Sequence, residues 1–140
     1  MDALQNRIIL VTRRTRLEDL VARLNTVEQA RFYVEHLGAD FSDYETEHAV
    51  YHRAVESAES ALRLYGRVQR LERGLVPNFL FPPDCLVVVI GQDGLVANTL
   101  KYLNGQPVIG VNPEPQRWDG VLLPFKVQDL KALIPEAQSG

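Results

Sequence analysis

The apolar and polar positions of this chain fall into blocks, and the block with the sharpest edges is Leu86–Ile90, LVVVI. Five consecutive apolar residues, most of them β-branched, predict a strand buried on both faces, the habit of parallel sheets. The run stops at Gly91-Gln92-Asp93-Gly94. Beyond it Leu95, Val96, Thr99, Leu100 and Leu103 recur at three- and four-residue spacing and predict a helix. Arg7–Thr12, RIILVT, predicts a first strand of the same apolar kind. Leu17, Leu20, Val21 and Leu24 then form a helical stripe, with Thr15 or Thr12 as its cap. Thr26 caps a second helix in which Val27, Ala30, Val34 and Leu37 are expected to face inward, and Gly38 stops it.

Asp40–Tyr65 predicts one long helix with Val50, Ala54, Ala58, Ala61 and Tyr65 on its stripe and Tyr51, Val55 and Leu62 widening it. Arg67–Glu72, RVQRLE, alternates poorly and carries charge, which suits an edge strand. Leu75–Asp84 is a proline-punctuated connection whose apolar residues are expected to cover the sheet. Pro107–Val111 predicts another buried strand, and Asn112–Gly120, NPEPQRWDG, a loop. Val121–Phe125 is expected to be a short extended piece, Val127–Leu133 a last helical turn or two, and Pro135–Gly140 a tail. Strands separated by helices over the whole length predict an α/β fold: a three-layer sandwich around a mainly parallel sheet of roughly four or five strands. The loops Arg13–Arg16, Gly91–Gly94 and Asn112–Gly120 then share the carboxyl edge of that sheet, where such folds bind ligands.

Composition narrows the function classes. At 140 residues the chain fits a single domain with its own core, and a net charge of −3 argues against a general electrostatic hold on nucleic acid. Cys85 is the only cysteine, so no disulfide forms within one copy; a reducing, cytoplasmic setting fits, and a packing role in the strand is expected. The opening MDALQNRIIL carries no apolar run of signal-peptide or membrane-spanning length.

Chemistry concentrates at GQDG. A strand feeding a helix through a two-glycine turn presents backbone N–H groups and the positive end of a helix at the sheet edge, a ready anion site. An acid inside that turn gives an anion cradle nothing, so Asp93 points to a base or an indirect metal contact, set against the plainer role of a helix cap. Arg13, Arg14 and Arg16 are either phosphate ligands or a solvated basic face. Trp118 is either a stacking lid or an apolar plug. His48 and His52 lie four apart with Glu45 and Glu56 nearby, a zinc-compatible spacing, but no further ligand stands out, and we expect a solvated helix face without a metal.

The text VVVIGQDGLVANTLKYL, then QPVIGVN, then WDGVLLPF resembles the NAD kinase family, within the larger group that includes the diacylglycerol and lipid kinases. The family pattern is a buried strand, Gly-Gly-Asp-Gly-Thr, a helix, a strand ending Pro-Val-(Leu/Ile)-Gly-Ile-Asn, and a loop leading to Gly-Phe-Leu. The match covers roughly the last third to half of the chain, with the α/β layout extending it loosely. The resemblance implies ATP with Mg²⁺ as phosphoryl donor and NAD as a candidate acceptor. It implies Asp93 as the base for a hydroxyl, Gly91 and Gly94 as the glycines approaching phosphate, and Asn112 near the nucleotide. Arg13 and Arg14 fall where basic side chains reach phosphates.

Gln92 replaces the family's second glycine, giving up freedom for positive φ and putting a side chain into the phosphate space, and Leu95 replaces its threonine. Family enzymes add a β-rich second domain with an Asn-Glu motif, so the resemblance implies the N-terminal domain of a longer two-domain protein, inactive alone, with self-association possible. The alternative is a non-catalytic sensing or interaction module that kept the fold. A receiver domain is disfavoured, because Thr12-Arg13-Arg14 stands where acidic residues belong. The expected partners are small nucleotides, without nucleic acid or membrane.

Overall fold

The computed structural model describes residues 7–139, with side chains through residue 134. Met1 to Asn6, the first part of the segment read for a leader, and Gly140 lie outside the described residues. The chain divides into two compact units, Met1–Arg13 with Ala54–Gly140, and Arg14–Arg53.

The first unit is built on four strands, β1 (Arg7–Thr12), β2 (Arg67–Glu72), β3 (Leu86–Ile90) and β4 (Val108–Val111), all parallel in the order β2-β1-β3-β4. The fold is α/β and Rossmann-like. Register explains the uninterrupted apolar runs. Ile9 pairs Val87 and Val11 pairs Val89, and these four face a cluster with Leu71, Val76, Cys85, Leu95, Val96 and Leu123. Alternate residues Ile8, Leu10, Val88 and Ile90 point the other way and are equally buried, so both faces are covered. β2, with exposed Gln69 and Arg70, is the edge its charge suggested.

α4 (Asp93–Leu100) buries Leu95, Val96 and Thr99, while Leu100 is exposed. The connection after β2 makes a 3₁₀ helix, Arg73–Asn78, that buries Val76. Phe79 and Phe81 pack on the core with it, whereas Leu75 and Leu80 are exposed. Val121–Phe125 forms no strand beyond one bridge from Phe125 to Val111. The chain end also differs from expectation: a 3₁₀ turn Val127–Asp129 leads into α5 (Leu130–Ser139), which continues through Pro135. Pro135 brings no N–H for the Lys131 carbonyl four residues back. That carbonyl accepts instead from the Tyr65 hydroxyl at 3.2 Å.

The second unit holds α1 (Arg16–Leu24), α2 (Val27–His36) and the first half of α3 (Phe41–Leu62), the helix that runs on into the first unit. Leu20, Ala30, Val34 and Phe41 form its core. Thr26 caps α2, and Gly38 at φ +82° ends it, as the sequence reading expected. Val27 and Leu37 do not face inward; they are 48% and 66% exposed. In α3 the buried line is Ala58 of the predicted stripe with the three residues expected to widen it, Tyr51, Val55 and Leu62, while Val50, Ala54 and Ala61 are half-buried. No described helix is long and apolar enough to cross a membrane.

Candidate functional site

From β1 the chain travels to β2 on one side of the sheet, and from β3 to β4 on the other. The loops leaving the carboxyl ends of adjacent β1 and β3 therefore diverge, which makes this point of the edge the sheet's topological switch point, the place where open α/β sheets bind ligands. Arg13 follows β1 there and Gly91-Gln92-Asp93-Gly94 follows β3.

Gly91 is buried, and its N–H donates to the Val111 carbonyl at 3.3 Å. A Cβ on Gly91 would lie 2.9 Å from Leu95 Cδ2 and 3.6 Å from Arg13 Nε. Leu95, standing where the resembled family has threonine, thus fills the space above this glycine, and the Arg13 side chain borders it. Gln92 lies at φ −117°, an ordinary extended angle, so this position makes no demand for glycine. It serves as N-cap of α4 through its backbone carbonyl, which accepts from Leu95 N at 2.9 Å and Val96 N at 3.3 Å. Gly94 has ordinary negative φ, and a Cβ there would meet nothing within 4 Å. The turn is tight against protein at Gly91 and open at Gly94.

Asp93, the first residue of α4, accepts two backbone hydrogen bonds from the returning loop: Val121 N to Oδ2 at 3.1 Å and Leu122 N to Oδ1 at 2.8 Å. The cap reading of this acid was local; its partners lie about thirty residues downstream. Asn112 works on the same loop. Its N–H donates to the Phe125 carbonyl, its Oδ1 accepts from Glu114 N, and its Nδ2 donates to the Trp118 carbonyl, at 2.8, 3.0 and 2.8 Å. Gly120, at φ +64°, passes so close to the Asn112 amide that a Cβ would lie 2.7 Å from Nδ2. Of the expected site residues, Arg13, Gly91, Gln92, Asp93, Gly94 and Asn112 lie on or beside this edge. Arg14, exposed, belongs to the second unit.

The second unit contains a cluster that the sequence reading only half saw. Thr15, fully buried, caps α1 in a capping box: its Oγ1 accepts from Glu18 N, and its N–H donates to Glu18 Oε1 at 2.9 Å. Thr15 Oγ1 also lies 2.8 Å from His48 Nδ1, and Glu18 Oε1 lies 3.3 Å from His52 Nε2. Burial by itself would raise the Glu18 carboxyl, but the Thr15 N–H and the two histidines outweigh it and hold the group below the ordinary range. Beside them Arg16 joins the buried Glu47 carboxylate and Asp43, with its guanidinium over the Tyr44 ring. Glu18, missing from the expected ligands around His48 and His52, is thirty residues away in sequence. Its one early signal was the Thr15-x-x-Glu18 spacing.

Comparison with protein-family models gives no match to this chain, and comparison with curated proteins gives none either.

Proposed function

We propose that this chain is the nucleotide-binding domain of an ATP-dependent phosphotransferase of the NAD kinase kind, with the β1/β3 switch point as its phosphate site. The observation that supports this most is the placing of the β3–α4 turn at the sheet's switch point, where Arg13 borders Gly91 and the N-terminus of α4 carries the unobstructed Gly94. An anion at Gly94 would meet the positive end of α4. Leu95 above Gly91 directs phosphate toward Gly94 instead of along the whole turn.

In this reading Asp93 is the base for the acceptor hydroxyl. Its two backbone hydrogen bonds fix the carboxylate's orientation, and each oxygen keeps a lone pair for the proton. Mg²⁺ arriving with the nucleotide would neutralise phosphate charge. Both Asp93 oxygens accept from N–H groups of the returning loop. The same observation favours the second reading, a ligand-binding module in which Asp93 only ties down the loop.

Calorimetric titration with ATP, ADP, NAD and NADP, each with and without Mg²⁺, tests the site. Gly94→Asp is the informative variant. An acid in the first turn suits the helix and its Cβ has room, yet it would repel phosphate. We expect millimolar or tighter binding, weakened at least ~10-fold in Gly94→Asp, which is ~1.4 kcal/mol. Equal affinity in the variant would remove the turn as the phosphate site. Asp93→Asn in the full-length two-domain protein that this reading implies, followed in a phosphoryl-transfer assay, separates the two readings, a base being worth at least ~10²-fold in turnover.

A further inference from the structure

We propose that Glu18, His48 and His52 bind a divalent transition-metal ion of the zinc class. One ligating atom of each residue lies within 4.8 Å of the others. A tetrahedral ion with bonds of about 2.0–2.1 Å needs its ligand atoms roughly 3.3 Å apart. The His52 Nε2 to Glu18 Oε1 edge already has that length, 3.3 Å, and side-chain adjustments on the order of 1 Å bring in the third corner. The two imidazoles come from successive turns of α3, with ring centroids 4.4 Å apart.

His52 Nε2 is the second observation. This atom is buried, and its contact with Glu18 falls outside hydrogen-bond geometry. A buried nitrogen lone pair, a carboxylate oxygen and a second imidazole converge where a cation would satisfy all three.

The surroundings are those of a supported site. Thr15 is rigidly held as a fully buried helix cap. Its N–H fixes Glu18 Oε1, and its hydroxyl oxygen can accept from His48 Nδ1–H, which leaves Nε2 as the metal-binding nitrogen. The side chains of His52 and Glu18 are 40% and 36% exposed, so an ion can enter and solvent can supply a fourth ligand. Two imidazoles and one carboxylate select zinc, cobalt, nickel or copper over magnesium and calcium. The site is separate from the nucleotide reading and stands without it.

The test uses the full chain, free of any affinity tag and stripped with a chelator. Titration with Co²⁺, followed by its visible d–d absorption and by displacement with Zn²⁺, should show one ion per chain. Glu18→Gln keeps the capping box and hence the fold. It should weaken binding at least ~10-fold, as should His48→Gln and His52→Gln, whereas His36→Gln should not. A Glu18→Gln variant that binds as tightly as the parent would reduce the site to an ordinary pair of surface histidines and overturn the proposal. The unmutated chain supplies a second readout in the ring-proton NMR signals of its three histidines. Zn²⁺ should shift those of His48 and His52 and leave His36 in place; equal shifts at all three, or none, would also refute the site.

Discussion

Gly110 offers the sharpest test of how the carboxyl edge is built. It lies in β4, where a glycine normally weakens a strand. Its negative φ makes no demand for glycine. The demand comes from the returning loop: a Cβ here would meet the Leu122 carbonyl oxygen well inside van der Waals contact, with Leu123 Cδ2 at 3.3 Å. Gly110→Ala therefore has to push the loop outward, on the order of 1 Å to reach ordinary separation. The Val121 and Leu122 N–H groups, now 3.1 and 2.8 Å from Asp93, would then be stretched beyond hydrogen-bonding distance.

Overpacking alone costs about 1–3 kcal/mol, and each bond to a charged acceptor about 1.5–3. Partial relaxation keeps the total below their sum, so we expect a loss of about 2–4 kcal/mol. Unfolding entropy of about 2.1 cal/mol/K per residue over this length makes 1 kcal/mol worth about 3.4 °C, so Tm should fall by about 7–14 °C. Thermal and urea unfolding of the parent, Gly110→Ala, Asp93→Ala and the double variant give the full cycle. With Asp93 gone the loop is already loose, so Gly110→Ala should cost at least ~1 kcal/mol less in that background. A Gly110→Ala protein within ~0.5 kcal/mol of the parent, or strict additivity with Asp93→Ala, would refute this coupling between Gly110, the returning loop and Asp93.

Gly94→Ala should raise stability by about 0.5–1 kcal/mol, since the site is helical and its Cβ direction empty; urea midpoints would show the opposite sign to Gly110→Ala. Tyr65→Phe should lower stability by about 0.5–1.5 kcal/mol by leaving the Lys131 carbonyl without its donor, and amide exchange in α5 should quicken. Burial pushes the Cys85 thiol up, so the reactive thiolate is scarce at neutral pH. A disulfide reagent should label the folded chain at least ~10²-fold more slowly than the urea-unfolded chain, and comparable rates would contradict the buried strand.

Much of the fold was legible because it is enforced locally. Leu86–Ile90 and Arg7–Thr12 could only be strands covered on both sides, and Thr15, Thr26 and Gly38 announced helix ends through their own side chains or backbone. The misreadings share a cause in distant partners. Pro135 looked like a stop because its compensating donor, Tyr65, is far away in sequence. Val121–Phe125 looked extended, but two of its N–H groups go to Asp93 and Pro124 has none to give. In α3 the alanines broaden the apolar arc, so composition could not tell Val50 and Ala54 from Tyr51 and Val55 as its centre. At the candidate site the residue types were visible, whereas what each touches was not.

That distinction decides which residues at the edge still call for a ligand. Loop closure accounts for Asp93, Asn112, Gly110 and Gly120: each is required by a hydrogen bond or a close approach within the protein itself. Gly91 is accounted for by Leu95. Gly94 is different. It has no positive φ, no neighbour in its Cβ direction, and a place in a helix where alanine would be the more stable residue. Folding gains nothing from a glycine there, whereas a phosphate approaching the N-terminus of α4 would use the space a side chain would fill. The case for a nucleotide at this edge thus rests less on the conspicuous acid than on the glycine beside it. Gly94→Ala carries that argument to its test, since a variant that is more stable yet binds nucleotide more weakly would separate the demands of ligand from those of fold.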